Sequence, residues 1–211
     1  MSKYVLVDNL FLYPTPVGAY YAAAAPDEEK SRKFIKQLLQ EKQSPPLNIE
    51  NLMRLMAEGN ENKALELLSH CQKLGWVQGV ENQVQSPKGS LEQLLPELLK
   101  DISETEKVLL ADDQGFYLAC TGFPHEVAEE LSALSAEIAS VHKRRSGLLM
   151  NNLGIGSHAW AIVDAFGSSQ VGFWPIFIGD NRFVIAIAGI PHFNQTKFVE
   201  LIWALSIRYA K

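Results

Sequence analysis

Along the second half of the chain the apolar positions switch between helical and extended spacing, and each switch marks an element. Leu91, Leu94, Leu95, Leu98, Leu99 and Ile102 recur at intervals of the kind that line one face of a helix; Ser90 stands at the N-cap, and Pro96 is an interior flaw that kinks the helix or shifts its start. Two short apolar runs follow, Val108 to Leu110 and Phe116 to Cys120, separated by DDQG. Asp can hydrogen-bond its own backbone and Gly115 can take a positive φ, so the pattern predicts a tight hairpin. From His125 to Arg145 the spacing is helical again, with a heptad-like stripe of Val127, Leu131, Leu134, Ile138 and Val141. Glu126, Glu129 and Glu130 open this helix and Lys143, Arg144 and Arg145 close it, which suits both ends of the macrodipole. After the loop SGLLMNNLGIGSH, three strands are predicted, Ala159 to Phe166, Val171 to Ile178 and Phe183 to Ile190, joined by the turn-like GSSQ and GDNR. A last helix from Gln195 to Ala210 places Phe198, Leu201, Ile202, Leu205 and Tyr209 on one face.

The first half reads differently. Pro14 and Pro16 forbid a continuous helix near the start, and Gly18 to Ala25 is predicted as a strand. Helices are expected from Asp27 to Lys42, from an Asn48 cap to Gly59, and through Ala64, Leu65, Leu67, Leu68, Cys71 and Leu74 to Gly75. WVQGVENQVQ then alternates like a small hairpin turning near Glu81 and Asn82. Three helices and a hairpin form the outline of a winged-helix domain, in which the third helix of nucleic-acid-binding examples enters the major groove. Here that helix carries Glu61, Lys63, Glu66, His70 and Lys73, a face close to neutral. SPKGS, residues 86–90, has the composition of a linker and divides the chain into residues 1–86 and 87–211.

Charge narrows the possible partners. The formal net charge is -5 and basic residues cluster nowhere beyond Lys143 to Arg145, which argues against a binder that must neutralise many phosphates. Hydrophobic residues make up 47% and charged residues 20%, enough apolar content for packed cores and too much for a disordered chain. The sequence shows neither a secretory leader pattern nor a long apolar run, so the default expectation is a cytoplasmic protein without a membrane span.

The order of elements after the linker is helix, two strands, helix, three strands, helix, an α+β arrangement around one five-stranded antiparallel sheet. It resembles the roadblock family, named for dynein light chains and found also as bacterial regulators of small Ras-like GTPases. The resemblance is carried by VLLADDQGFYLACTG, by the helix EVAEELSALSAEIASVHKR and by NRFVIAIAGI before an amphipathic helix, and it covers roughly residues 88–211. Profilin-like, longin and PAS domains share five antiparallel strands with a different order of helices. What the roadblock resemblance implies is a scaffold that pairs into homodimers, the long central helix and third strand of each copy meeting their counterparts, and that binds a GTPase or serves as a platform in larger assemblies without chemistry of its own. The stripe Val127, Leu131, Leu134, Ile138 and Val141 fits such a helix seam; it is also what packing on the helix's own sheet requires.

No convergent chemical signature accompanies this outline. Asp112 and Asp113 are adjacent, and neighbouring residues on a strand point to opposite faces, so the pair is expected to make a turn and not an acid or metal site. His70, His125, His142, His158 and His192 are scattered without a zinc spacing, and Cys71 and Cys120 lie in apolar patterns. LGIGSH lacks the third glycine of a dinucleotide loop and precedes a strand where such a loop would follow one, and no GxxxxGK[ST] occurs. No catalytic residue, metal ligand or cofactor is therefore expected. The expected partner surface comprises Leu148, Leu149, Met150, Trp160 and Trp174, apolar residues in a loop and on strands. The leading expectation is a non-enzymatic dimeric adaptor or regulator with a protein partner, first of all a small Ras-like GTPase. The alternative is a DNA-binding transcriptional regulator whose winged helix reads DNA while the second half dimerises or senses a ligand.

Overall fold

The computed structural model describes residues 4–210. In chain order its elements are β1 (Phe11–Pro14), α1 (Pro16–Ala23), α2 (Lys30–Leu38), α3 (Ile49–Met56), α4 (Glu61–Lys73), β2 (Val77–Val80), α5 (Leu91–Lys100), β3 (Val108–Ala111), β4 (Tyr117–Thr121), α6 (His125–Ser146), β5 (Trp160–Val163), β6 (Ser169–Ile178), β7 (Asn181–Ala188) and α7 (Thr196–Tyr209). A π-helical turn, Gly147–Asn152, extends α6. The chain separates into two compact units, one of residues up to Lys88 together with those from Phe193 on, the other Gly89–His192. This differs from the expected second domain, 87–211, because α7 is grouped with the first unit.

In the first unit, residues read as a strand form α1 instead. Pro16 sits in the first helical turn, where its missing N–H costs nothing, and the Thr15 side chain caps the helix by accepting from the Gly18 N–H at 3.0 Å. Small residues let α1 lie close to its neighbours, and a Cβ at Gly18 would overlap the Trp76 carbonyl oxygen. The hairpin expected near Glu81 does not form. β2 pairs antiparallel with β1, Phe11 opposite Val80 and Pro14 opposite Val77, so the partner of WVQG lies at the start of the chain and the wing of a winged helix is absent among the described residues. Asn48 caps α3 as expected, accepting from Asn51 N–H at 2.9 Å, while Ala57 in the left-handed region ends the helix ahead of Gly59. α7 is buried almost all round. Within its unit the Trp203 ring meets Tyr13 edge-on at 6.0 Å, and its indole N–H donates to the Glu41 carbonyl at 2.8 Å.

The second unit is α+β, with the five-stranded antiparallel sheet that the sequence predicts, in the order β4-β3-β7-β6-β5. β3 and β4 form the predicted hairpin, with Leu109 opposite Cys120 and a register shift after Leu110. Asp112 makes its turn: one carboxylate oxygen accepts from the backbone N–H groups of Gln114 (3.0 Å) and Phe116 (2.9 Å), and Gly115 takes a φ of +91°. Pro96 stays inside α5. Leu109, Val184, Ala186 and Phe173 share the sheet face covered by α6, and together with Ala128 they form a buried core.

Gly18→Ala is expected to lower stability by about 2 kcal/mol through overpacking, read by urea unfolding. In the hairpin, Asp112→Ala should cost about 1 kcal/mol because two turn N–H groups lose their acceptor, whereas the exposed Asp113 replaced by Ala should stay within about 0.5 kcal/mol. Equal effects at the two positions would contradict the turn assignment.

Candidate functional site: the face of the α6 helix and the β5 edge

The central helix meets its sheet through a set of residues displaced by one from the predicted stripe. Buried on α6 are Ala128, Ser132, Ser135, Ala139 and His142, each following a stripe residue in sequence. One residue corresponds to a rotation of about 100° about the helix axis. The stripe consequently runs along the flank of the helix. Leu131, Leu134 and Ile138 are half-buried there beside the core, while Val127 and Val141, at opposite ends, are 39% and 38% exposed. The opposite flank is occupied by the hairpin turn, since a Cβ at Gly115 would meet the Ala133 Cα and the Ala136 Cβ at 3.3 and 3.4 Å. The apolar flank therefore looks away from the β3 to β4 turn, toward the other side of the sheet.

On that side lies β5, the outermost strand. Its four residues, Trp160, Ala161, Ile162 and Val163, are all exposed and all apolar. An unpaired edge without a charge or a proline is the kind of edge that soluble proteins ordinarily blunt. Trp160 pairs across to Phe173 and Ile162 to Val171, which puts both on the α6 face of the sheet. The π-helical turn adds Leu148, 50% exposed, and Met150, 51% exposed, with Leu149 half-buried. Of the expected partner surface, the structure thus keeps Trp160 on the same sheet face as α6 and separates Trp174 from it. Trp174 follows Phe173 and points to the opposite face, where its indole lies over Gly172. Phe166, 95% exposed, lies in the turn after β5.

Two side-chain groupings escaped the sequence reading. At the start of α6, the Tyr117 hydroxyl and His125 Nδ1 are 2.7 Å apart, and His125 Nε2 lies 3.4 Å from a Glu129 carboxylate oxygen. The i to i+4 spacing of His125 and Glu129 was the available signal, but Tyr117 comes from another element. The order hydroxyl, imidazole, carboxylate is that of an activated nucleophile, yet His125 and Glu129 are both largely solvated and the group ties α6 to β4 at the surface. At the other end of the helix the Trp160 indole N–H donates to His142 Nδ1 at 3.0 Å, and His142 and His158 have ring centroids 4.8 Å apart. Nothing in the spacing of residues 142, 158 and 160 announces this contact, because a loop of irregular backbone intervenes.

The thiols look inert. Burial pushes the Cys71 thiol up to about 11 and raises that of Cys120 as well, so neither carries thiolate near neutral pH. Among the described residues no group of three or more His, Cys, Asp or Glu is placed to hold a metal ion, and no helix is long and apolar enough to cross a membrane.

No family model and no curated protein matches this chain. Solved structures do. A roadblock/LC7 domain from Streptomyces avermitilis is similar at 15% identity over 57% of this chain and 93% of that one, with a TM-score of 0.36. MglB from Myxococcus xanthus is similar at 14% identity over 58% of this chain and 91% of its own, with a TM-score of 0.35.

Proposed function

We propose that this protein is a non-enzymatic adaptor or regulator that pairs with a second copy of itself through the β5 edge and the apolar flank of α6, and presents the paired scaffold to a protein partner. One observation supports this above the others: an exposed, uncharged edge strand lies on the side of the sheet toward which the large apolar residues of α6 are turned. An edge strand that pairs antiparallel with its own copy makes an isologous, self-closing contact, satisfying the free backbone groups of both edges in one step. In such a pair Ile162 of each copy lies near the centre, and Val141 and Ile138 stand at its border. As partner, the roadblock resemblance of the sequence favours a small Ras-like GTPase; the chain has no phosphate-binding loop of its own with which to act as one. The unit made of residues up to Lys88 and those from Phe193 on is a fold of its own, and among its described residues no hairpin wing or basic face supports a DNA-reading role.

The self-association is tested by light scattering at micromolar concentration, where a dimer is expected and a strict monomer contradicts it. Ile162→Lys should raise the dimer dissociation constant at least roughly thirtyfold, the scale of a loss of about 2 kcal/mol at an interface centre, while the urea midpoint measured at concentrations where both proteins are monomeric stays unchanged because the residue is exposed in the single copy. Recovery of a P-loop GTPase on the purified protein from native lysate supports the partner assignment, and recovery of DNA alone overturns it.

A further inference from the structure

The hydrogen bond between Trp160 and His142 fixes a protonation state. The indole N–H can only donate, so His142 Nδ1 must offer its lone pair and the ring must be neutral with its proton on Nε2. His142 belongs to the buried face of α6 with 9% of its surface exposed, and Trp160 opens the β5 edge. This bond is therefore a polar tie between the helix and the edge strand. A proton on Nδ1 replaces the acceptor by a second donor, and the tie becomes two opposed N–H groups at a part-buried position.

The His158 ring lies 4.8 Å from that of His142 at a tilt of 40°, and its other side meets Phe177 edge-on at 5.6 Å. Across β6 and β7 Phe177 is paired with Arg182, a cation on the same sheet face whose Nε is buried without a hydrogen-bond partner. On α6 itself Lys143, Arg144 and Arg145 follow directly, and Glu137, more than a turn earlier, is exposed. Asp180, in the turn between β6 and β7, is likewise exposed. The rings placed against His142 are thus those of Trp160 and His158, while Lys143, Arg144 and Arg145 and the carboxylates of Glu137 and Asp180 are exposed.

We propose that His142 is a proton-operated latch for the self-association face: neutral, it holds Trp160 and the β5 edge against α6 in the pairing geometry; protonated, it releases them and the copies separate. This rests on the pairing reading above and adds its regulation. Mild acid is the relevant range, because an imidazole is the side chain whose charge changes between about pH 5 and pH 8.

The test uses the full chain at about pH 7.5 and about pH 5.5. Two-dimensional NMR of the indole N–H groups follows Trp160, identified among the four tryptophans by its absence from Trp160→Phe. Light scattering in parallel gives the dimer dissociation constant. The expected result is a Trp160 indole signal that shifts toward the solvent-exposed position on acidification, together with association weakened at least roughly tenfold, the scale of one buried hydrogen bond turned into a clash of donors. His142→Gln, whose side-chain carbonyl accepts at either pH, should remove both changes. A dimer equally tight at both pH values overturns the latch and leaves the pairing reading standing. A monomer at both overturns the pairing, and a Trp160 signal that still moves then assigns the contact a local role only, which overturns the regulation proposed. Should His142→Gln fail to fold, a wild-type Trp160 signal insensitive to pH overturns the latch by itself.

Discussion

The closeness with which α6 lies on its sheet is set by the size of the side chains between them. Ala128, Ser132, Ser135 and Ala139 are small, and the sheet face beneath the helix is built of Leu109, Phe173, Val184 and Ala186. A helix that places its small residues underneath comes near the strands and forms many short contacts, at the expense of turning its Leu, Ile and Val residues sideways. The other rotation would have buried Val127, Leu131, Leu134, Ile138 and Val141 beneath the helix and left a polar outer surface. The rotation actually adopted leaves apolar surface at the flank, and that surface shares a side of the sheet with the unprotected β5 edge. Packing inside one copy and the case for a second copy are thus consequences of a single choice.

That choice also explains which parts of the structure were legible in the sequence. The β3 to β4 hairpin was readable because its turn chemistry is local: Asp112 accepts from residues two and four positions on, and Gly115 supplies the positive φ. The extent of α6 was readable from its periodicity and its charged ends. Its rotation was not, since a stripe of large apolar residues marks which side avoids water without saying whether it meets the sheet or a neighbour, and the serines that are in fact buried read as polar. The strand β2 was assigned a partner a few residues downstream, whereas its real partner begins at Phe11, and alternation along WVQG carries no information about the distance to the other strand. The stretch from Gly18 to Ala25 failed for a related reason, because Thr15 and Pro16 together make a good helix start even where Gly and Tyr lower helix propensity.

The two polar side-chain groupings on α6 are made by tertiary contact. Tyr117 reaches His125 from a neighbouring element, and Trp160 reaches His142 across a loop, so neither has a fixed spacing that a motif could record. The faces on which the strand tryptophans lie were not readable. Trp160 and Trp174 look alike in an apolar strand pattern, but they belong to different strands, and the register that sets Trp160 opposite Phe173 sends Trp174 to the other face. Register is a property of two strands together and cannot be taken from one.

The buried face of α6 is also sparing in what it asks of the sheet. Ser132 donates to the Ala128 carbonyl and Ser135 to the Ser132 carbonyl, each at 2.7 Å, so both hydroxyls are satisfied within the helix and the surface they present downward is effectively apolar. His142 is different, because the ring nitrogen facing Trp160 receives its hydrogen bond from another element. Van der Waals packing of small residues tolerates sliding and tilting, whereas a directed hydrogen bond holds one distance and one angle. Along the buried set of α6 such a directed contact from the sheet is therefore concentrated at the end next to β5.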